Sequence, residues 1–171
     1  VEVAHLADGD ISVYDLDQAF FPICNTKVAG TLVPVFSLRS KSSFGIGDFG
    51  DLKKMIDFVS QTGQRVLQIL PINDTTITHT WTDSYPYSCI SIFAIHPQYV
   101  DLNHLPAIAD KAKAKKYEAL RIKLNALSQI DYEAVNNAKT EYLKIIFVQE
   151  GKRIMASAEY KAFFEESQSW L

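Results

Sequence analysis

Cysteine is scarce in this chain and poorly placed for metal chemistry. Only Cys24 and Cys89 occur in 171 residues. No Cys-x-x-Cys or comparable spacing is present, so the sequence offers no zinc or iron–sulfur framework. Two buried thiols in a reducing compartment are the favoured reading, with a disulfide between them left open. Neither sign of charge is in excess. A net charge of -3 provides no basic field to attract nucleic acid and no strong acidic bias. No apolar run approaches the roughly 20 residues that a membrane-spanning helix needs. The opening Val1-Glu2-Val3-Ala4-His5 has neither the basic segment nor the apolar stretch of a secretory signal, and it lacks an initiator Met. A cytoplasmic protein is expected, entered partway through a longer chain. Internal repeats and low-complexity tracts are absent. What is present fits one ordinary globular domain: 47% hydrophobic and 22% charged residues, both near average.

Residues 1–29 read as a linker or the tail of a preceding domain. They carry short alternating stretches such as Ile11-Ser12-Val13-Tyr14 and an apolar Ala19-Phe20-Phe21-Pro22-Ile23. The informative part opens at Gly30. Thr31-Leu32-Val33-Pro34-Val35-Phe36-Ser37 is a continuous apolar run of the kind that forms a strand buried on both faces, although Pro34 is unsuited to a central ladder position. A polar loop, Leu38 to Ser43, follows. The next element is a helix, with Leu52, Met55, Ile56 and Val59 on one stripe, Asp48 and Asp51 at its positive end, and Gly63 as its C-terminal cap. A second apolar run, Val66-Leu67-Gln68-Ile69-Leu70-Pro71-Ile72, comes at once. Strand, loop, helix and strand at this spacing make a βαβ unit of an α/β fold with a parallel sheet. Such folds place their sites beyond the C-terminal ends of strands, here Ser37-Leu38-Arg39-Ser40 and Ile72-Asn73-Asp74-Thr75.

Residues 75–106 form a long connection, and from about Ala107 the chain turns helical. Tyr117, Leu120, Leu124 and Leu127 make one stripe. Asp131 is placed to cap a helix carrying Val135, Ala138, Tyr142 and Ile146, and Ser157 to cap a last short helix with Tyr160, Phe163 and Phe164. Residues 107–171 are therefore expected to form a helical segment or subdomain after a 30–106 unit.

Gly45-x-Gly47-x-x-Gly50 matches a dinucleotide-binding fingerprint between a strand and a helix, with Asp74 standing where a ribose acid would. Two features oppose that reading. The glycines should follow the strand in one tight turn, and Asp48 and Asp51 would put negative charge where a pyrophosphate must bind. Glycines that let the loop turn and start the helix are the better account.

Trp81-Thr82-Asp83-Ser84-Tyr85-Pro86-Tyr87-Ser88 interleaves aromatic rings with short hydroxyl side chains beyond a strand end. Sugars present apolar faces and many hydroxyl groups, so a sugar site needs flat rings with donors and acceptors beside them. A packed loop whose rings belong to the core is the competing account, and composition alone leaves both open.

Residues from Gly30 to about Leu102 resemble the start of the catalytic domain of the 4-alpha-glucanotransferases, the amylomaltase or disproportionating enzymes of glycoside hydrolase family 77. The resemblance rests on ordered motifs at consistent spacing: Pro34 to Ser40, Phe44 to Gly50, Gln68 to Asp74, Asp83 to Ser88, and Phe93-Ala94-Ile95-His96-Pro97. The Ser-Leu-Arg-Ser and Asp-Ser-Tyr-Pro-Tyr forms are similar to the branch in which starch-binding domains precede the catalytic domain. The resemblance implies a (β/α)₈ TIM barrel of which this chain supplies the first two strands. It implies transfer of α-1,4-glucan segments with retained configuration, through a carboxylate nucleophile and an acid/base residue, both located beyond Leu171. It therefore assigns no catalytic residue, metal or cofactor to this chain. Substrate contact is implied for Tyr87, which would stack or hydrogen bond near the scissile bond, and for Ser84, which would hold a hydroxyl. Asp83 would orient the loop, and Trp81 lies close to a glucan-contacting aromatic position, although Ile77-Thr78-His79-Thr80 departs from the family's glycine-rich form. Ser37 and Arg39 stand at the first strand's exit. His79 and His96 read as structural.

The partners implied are an α-glucan or maltooligosaccharide and the remainder of the same catalytic domain, with neither nucleic acid nor membrane. Two strands cannot close a barrel, so Leu32, Val35, Leu67 and Ile69 are expected to lack partners and to promote self-association of the isolated chain. The rival readings are a carbohydrate-binding module without chemistry and a nucleotide-binding βαβ domain.

Overall fold

The structure is a computed structural model that describes residues 2–4, 13–15 and 27–171. Two short strands, β1 (Glu2–Ala4) and β2 (Val13–Asp15), pair antiparallel. Most of the 1–29 segment, including Cys24, lies outside the described residues, and Cys89, expected to be buried, is exposed. Strands β3 (Gly30–Leu32) and β4 (Val66–Gln68) pair parallel, and helix α1 (Phe49–Gln61) connects them. Helices α2 (Lys111–Asn125), α3 (Tyr132–Ala156) and α4 (Ala158–Ser167) complete the chain. No helix among the described residues is long and apolar enough to cross a membrane.

The βαβ unit is present, but its strands are shorter than the apolar runs that encode them. The N–H of Val33 still reaches Gln68 O at 2.9 Å. Pro34 then has no N–H to give, so the ladder stops there. Val35–Ser37 instead wind into a 3-10 turn, with Ser37 N–H on Pro34 O at 3.1 Å and Leu38 N–H on Val35 O at 3.0 Å. Val35 is consequently buried rather than left without partners. Leu67 and Ile69 are half-buried, and Leu32 is exposed.

Helix α1 begins with a reciprocal capping box. Asp48 Oδ1 accepts from the N–H groups of Gly50 and Asp51, while Asp51 Oδ2 accepts from the N–H of Asp48. It ends in a Schellman motif: Gly63 (φ +74°) donates to Ser60 O and Gln64 to Val59 O, both at 3.1 Å. The apolar stripe is only partly covered. Val59 is buried, Leu52 and Met55 are half-buried, and Ile56 is exposed.

The core does not lie on the sheet. Phe44, Ile46, Leu102, Leu124, Val135 and Ala138 form it, with Phe36, Tyr117, Leu120 and Tyr142 packed around them. The loop after β3 is therefore clasped by α2 and α3. Gly45 has φ +79°, and a Cβ there would lie 2.8 Å from Leu124 Cβ and 3.0 Å from Val135 Cγ2. Polar lashings hold the same loop: Arg39 Nη1 donates to Leu127 O at 2.8 Å, Arg121 Nη1 to Lys41 O at 2.6 Å, and Asn125 Nδ2 to Ser40 O at 2.7 Å. Leu127, expected on the α2 stripe, falls beyond the helix end and is exposed.

Caps set the remaining helices. Asp131 accepts from Ala134 N–H at 3.0 Å and Ser157 from Tyr160 N–H at 3.1 Å. Helix α3 runs for 25 residues and buries Lys139 together with its apolar side chains. Lys139 Nζ donates to Gln98 O at 2.6 Å and Val100 O at 2.8 Å, and lies 3.7 Å from Asp48 Oδ2. One ammonium thus joins α3, the 97–100 turn and the cap of α1.

Candidate functional site: a groove beside Trp81

The chain leaving β4 does not simply wander. Asn73 bridges antiparallel to Ile95. Asp74 N–H reaches Ala94 O at 2.9 Å, and His96 N–H reaches Ile72 O at 3.0 Å. The ends of the 73–96 excursion are therefore tied, and the aromatic segment projects as a closed loop.

Asp83 organises that loop from inside. It is buried. Its Oδ2 accepts the N–H groups of Ile77, Thr78 and His79 at 3.1, 2.9 and 2.8 Å, and its Oδ1 accepts the Thr78 hydroxyl at 2.9 Å. Burial alone would raise its pKa, but the Thr78 hydroxyl and the three backbone donors outweigh it and hold the carboxyl below its ordinary value. His79, one of these donors, adopts a left-handed φ of 59°. The Asp83 carbonyl accepts the Thr75 hydroxyl at 2.5 Å.

A second set of bonds docks the loop on α3. Gln98 N–H donates to His96 Nδ1 at 3.1 Å, so the other ring nitrogen, Nε2, carries the proton of the neutral imidazole and faces the Tyr132 hydroxyl at 2.7 Å. Tyr132 in turn donates to Asp83 O at 3.3 Å. Burial lowers the His96 pKa against the pull of Asp74 and Asp83, and it pushes the Tyr132 phenol up to about 12. Glu133 Oε1 accepts the Trp81 N–H at 2.9 Å.

This scaffold leaves the rings outward. Trp81, at the start of the 3-10 turn Trp81–Ser84, is 69% exposed and Tyr87 is 59% exposed. The Tyr85 and Tyr87 ring centroids lie 5.4 Å apart. A groove of about 610 Å³ separates the Trp81–Ser84 turn from the first turn of α3. Trp81, Ser84, Asp131 and Glu133 line it, over buried Ile46 and Gln98. Trp81 and Ser84 are thereby brought together. Tyr87 is accessible but does not line this groove, and Asp83 faces a separate cavity of about 510 Å³ with Asp74, His79 and Tyr132. Of the strand-exit residues, Ser37 bonds back to Pro34 O at 2.8 Å and Arg39 is committed to Leu127.

The glycine-rich loop has no room for a pyrophosphate. The first N–H groups of α1 are taken by Asp48, and a Cβ at Gly50 would strike the Asp101 carboxylate. Among the described residues no group of three or more His, Cys, Asp or Glu side chains gathers to hold a metal.

Residues 33–171 match the 4-alpha-glucanotransferase family. The chain belongs to that family. It is 39% identical over 144 residues to the 4-alpha-glucanotransferase DPE2 of Oryza sativa subsp. japonica, covering 84% of this chain and 15% of the rice protein. It is 35% identical over 143 residues to the 4-alpha-glucanotransferase of Chlamydia muridarum, covering 83% of this chain and 26% of that protein. It is 30% identical over 155 residues to that of Synechocystis sp., covering 85% and 27%. The chain thus spans about a quarter or less of the length of these relatives.

Several groups that build the groove carried no clear signal in the sequence. Tyr132 and Glu133 sit in the first turn of a helix, where an acidic residue usually serves the dipole. Gln98 and Lys139 are polar residues that sequence patterns place at the surface, yet both are buried.

Proposed function

We propose that this 4-alpha-glucanotransferase family member is the first part of a (β/α)₈-barrel catalytic domain and forms one wall of its glucan cleft. The whole enzyme transfers α-1,4-glucan segments between maltooligosaccharides in the cytoplasm, by a retaining mechanism with a carboxylate nucleophile and an acid/base residue. The carrying observation is the groove itself: an outward indole at Trp81 beside the Ser84 hydroxyl and two carboxylates, the mix of flat apolar face and polar groups that a glucose unit requires. Tyr87, exposed on the same loop, contacts the chain of sugars further along.

The nucleophile and the acid/base residue are supplied by later parts of the domain. The buried or groove-side acids of this chain already have structural work: Asp48 and Asp51 cap α1, Asp83 holds its own loop, and Asp131 caps α3. The remainder of the domain is also the natural cover for the apolar surface around the parallel pair, where Leu32, Val66, Ile56 and Phe58 are all exposed. Left uncovered, that surface drives the isolated chain to self-associate.

Two measurements test the reading. Incubated with maltotriose, the chain alone releases no glucose; release would overturn the placement of the chemistry elsewhere. Titrated with a maltooligosaccharide, the chain changes its tryptophan fluorescence and Trp81→Ala does not. Trp170 serves as an internal reference in both proteins. An unchanged response in the variant would remove Trp81 from the cleft.

A further inference from the structure

One group lining the groove is unsatisfied. Gln98 is 6% exposed, and its Oε1 has no hydrogen-bond partner among the described residues. A buried amide oxygen without a partner costs about 1–3 kcal/mol, and such groups are rare enough in folded proteins to call for an explanation. The backbone of Gln98 is fully committed. Its N–H goes to His96 Nδ1 and its C=O receives Lys139 Nζ. The residue is thus locked at its Cα, within the 3-10 turn Pro97–Tyr99; its side chain lines a cavity of ligand size, and its unpaired oxygen is enclosed beneath that surface, with the Tyr99 phenol against the amide.

From this we infer that Gln98 reads a hydroxyl group of a glucose ring that stacks on Trp81. The inference rests on the carbohydrate reading of the groove and adds to it a specific buried recognition group. An indole face gives affinity for any flat apolar sugar face and little discrimination among hydroxyl patterns. A buried amide does the opposite. A ligand that supplies its partner gains a hydrogen bond, and one that cannot leaves the amide unsatisfied, so discrimination is steep. The terminal torsion of Gln is broad and roughly two-fold, so the amide can turn either its oxygen or its NH₂ toward a hydroxyl, which both donates and accepts.

The test uses the whole chain with Gln98→Met, which keeps the length of the side chain and removes its polarity, and with Gln98→Glu. Maltotriose and a set of maltotrioses each lacking one hydroxyl are titrated by tryptophan fluorescence, and thermal unfolding is recorded for each protein. Gln98→Met is expected to unfold at an equal or higher temperature than the parent, because an unpaired buried amide has been removed. It should also bind maltotriose about tenfold more weakly. One deoxy sugar should bind parent and variant equally, which identifies the hydroxyl read. Gln98→Glu, which retains an acceptor, should recover part of the loss. Equal weakening of every sugar by Gln98→Met, or a fall in its unfolding temperature without loss of affinity, overturns the inference and leaves the groove intact. Absence of binding by the parent chain overturns the carbohydrate reading itself, and Trp81→Ala binding as well as the parent does the same.

Discussion

The ammonium of Lys139 lies 3.7 Å from the carboxylate of Asp48, with both side chains buried. Burial is the main influence on each. It raises Asp48 from 3.8 to about 6 although Lys139 opposes the shift, and it lowers Lys139 from 10.5 to about 8 although Asp48 opposes that one. The pair is a junction with a cost: it fixes α3 against α1, and it keeps two charges out of water.

The folded chain holds an extra proton on Asp48 between pH 3.8 and about 6, so this group's contribution to stability is largest below 3.8 and is lost as pH rises through 6. Lys139 gives up its proton early in the folded chain, so its contribution grows as pH rises from about 8 to 10.5. Replacing Lys139 by Met leaves Asp48 without its counter-charge and two carbonyls without their donor, and should cost about 3 kcal/mol or more at pH 7. That deficit should shrink toward pH 5, where Asp48 takes up a proton. Urea unfolding at the two pH values checks this, and an equal deficit at both would show that the charges do not interact.

Tyr132→Phe removes the hydroxyl that links His96 to the Asp83 carbonyl. A loss of about 1 kcal/mol in urea unfolding is expected, with faster amide exchange at Thr78 and His79. Unchanged exchange there would mean that Asp83 alone holds the loop.

Asp83→Ala deletes the acceptor of four hydrogen bonds. The Trp81 emission should shift to the red and maltooligosaccharide binding should be lost, while far-UV circular dichroism stays near that of the parent. The depressed pKa of Asp83 supports the loop above the ordinary carboxylate range and ceases to do so as pH falls below it. Acid titration of the Trp81 emission should follow the same direction.

Gly45→Ala and Gly63→Ala separate two reasons for glycine. Both positions have positive φ, but a Cβ at Gly63 meets nothing within 4 Å, whereas at Gly45 it meets Leu124 and Val135. Costs of about 1 kcal/mol at Gly63 and about 2–4 kcal/mol at Gly45 are expected from denaturant unfolding. Equal costs would show that the core gives way around the added methyl.

Local chemistry was the most legible part of the sequence. The carboxylates of Asp48 and Asp51, the glycine at 63 and the caps at Asp131 and Ser157 act within a few residues of themselves, so their roles follow from spacing. Strand length was less legible, because an apolar run does not say where a missing N–H ends a ladder, and Pro34 turned half of one run into a 3-10 turn. The groove was only half legible. Trp81 and Ser84 announce themselves as a ring beside a hydroxyl. Glu133 meets Trp81 across 52 residues, and Lys139 reaches Gln98 O across 41. Such pairings depend on how a long helix is laid over a loop, and no local pattern encodes that.

The three lashings from Arg39, Arg121 and Asn125 make the β3 exit loop and the end of α2 one mechanical piece. That piece carries Ile46, which packs in the core with Leu124 of α2 and also lies at the floor of the groove beside Trp81. Helix α2 thus bears on the floor of the groove only at second hand, through the loop that it packs against and not through a residue of its own.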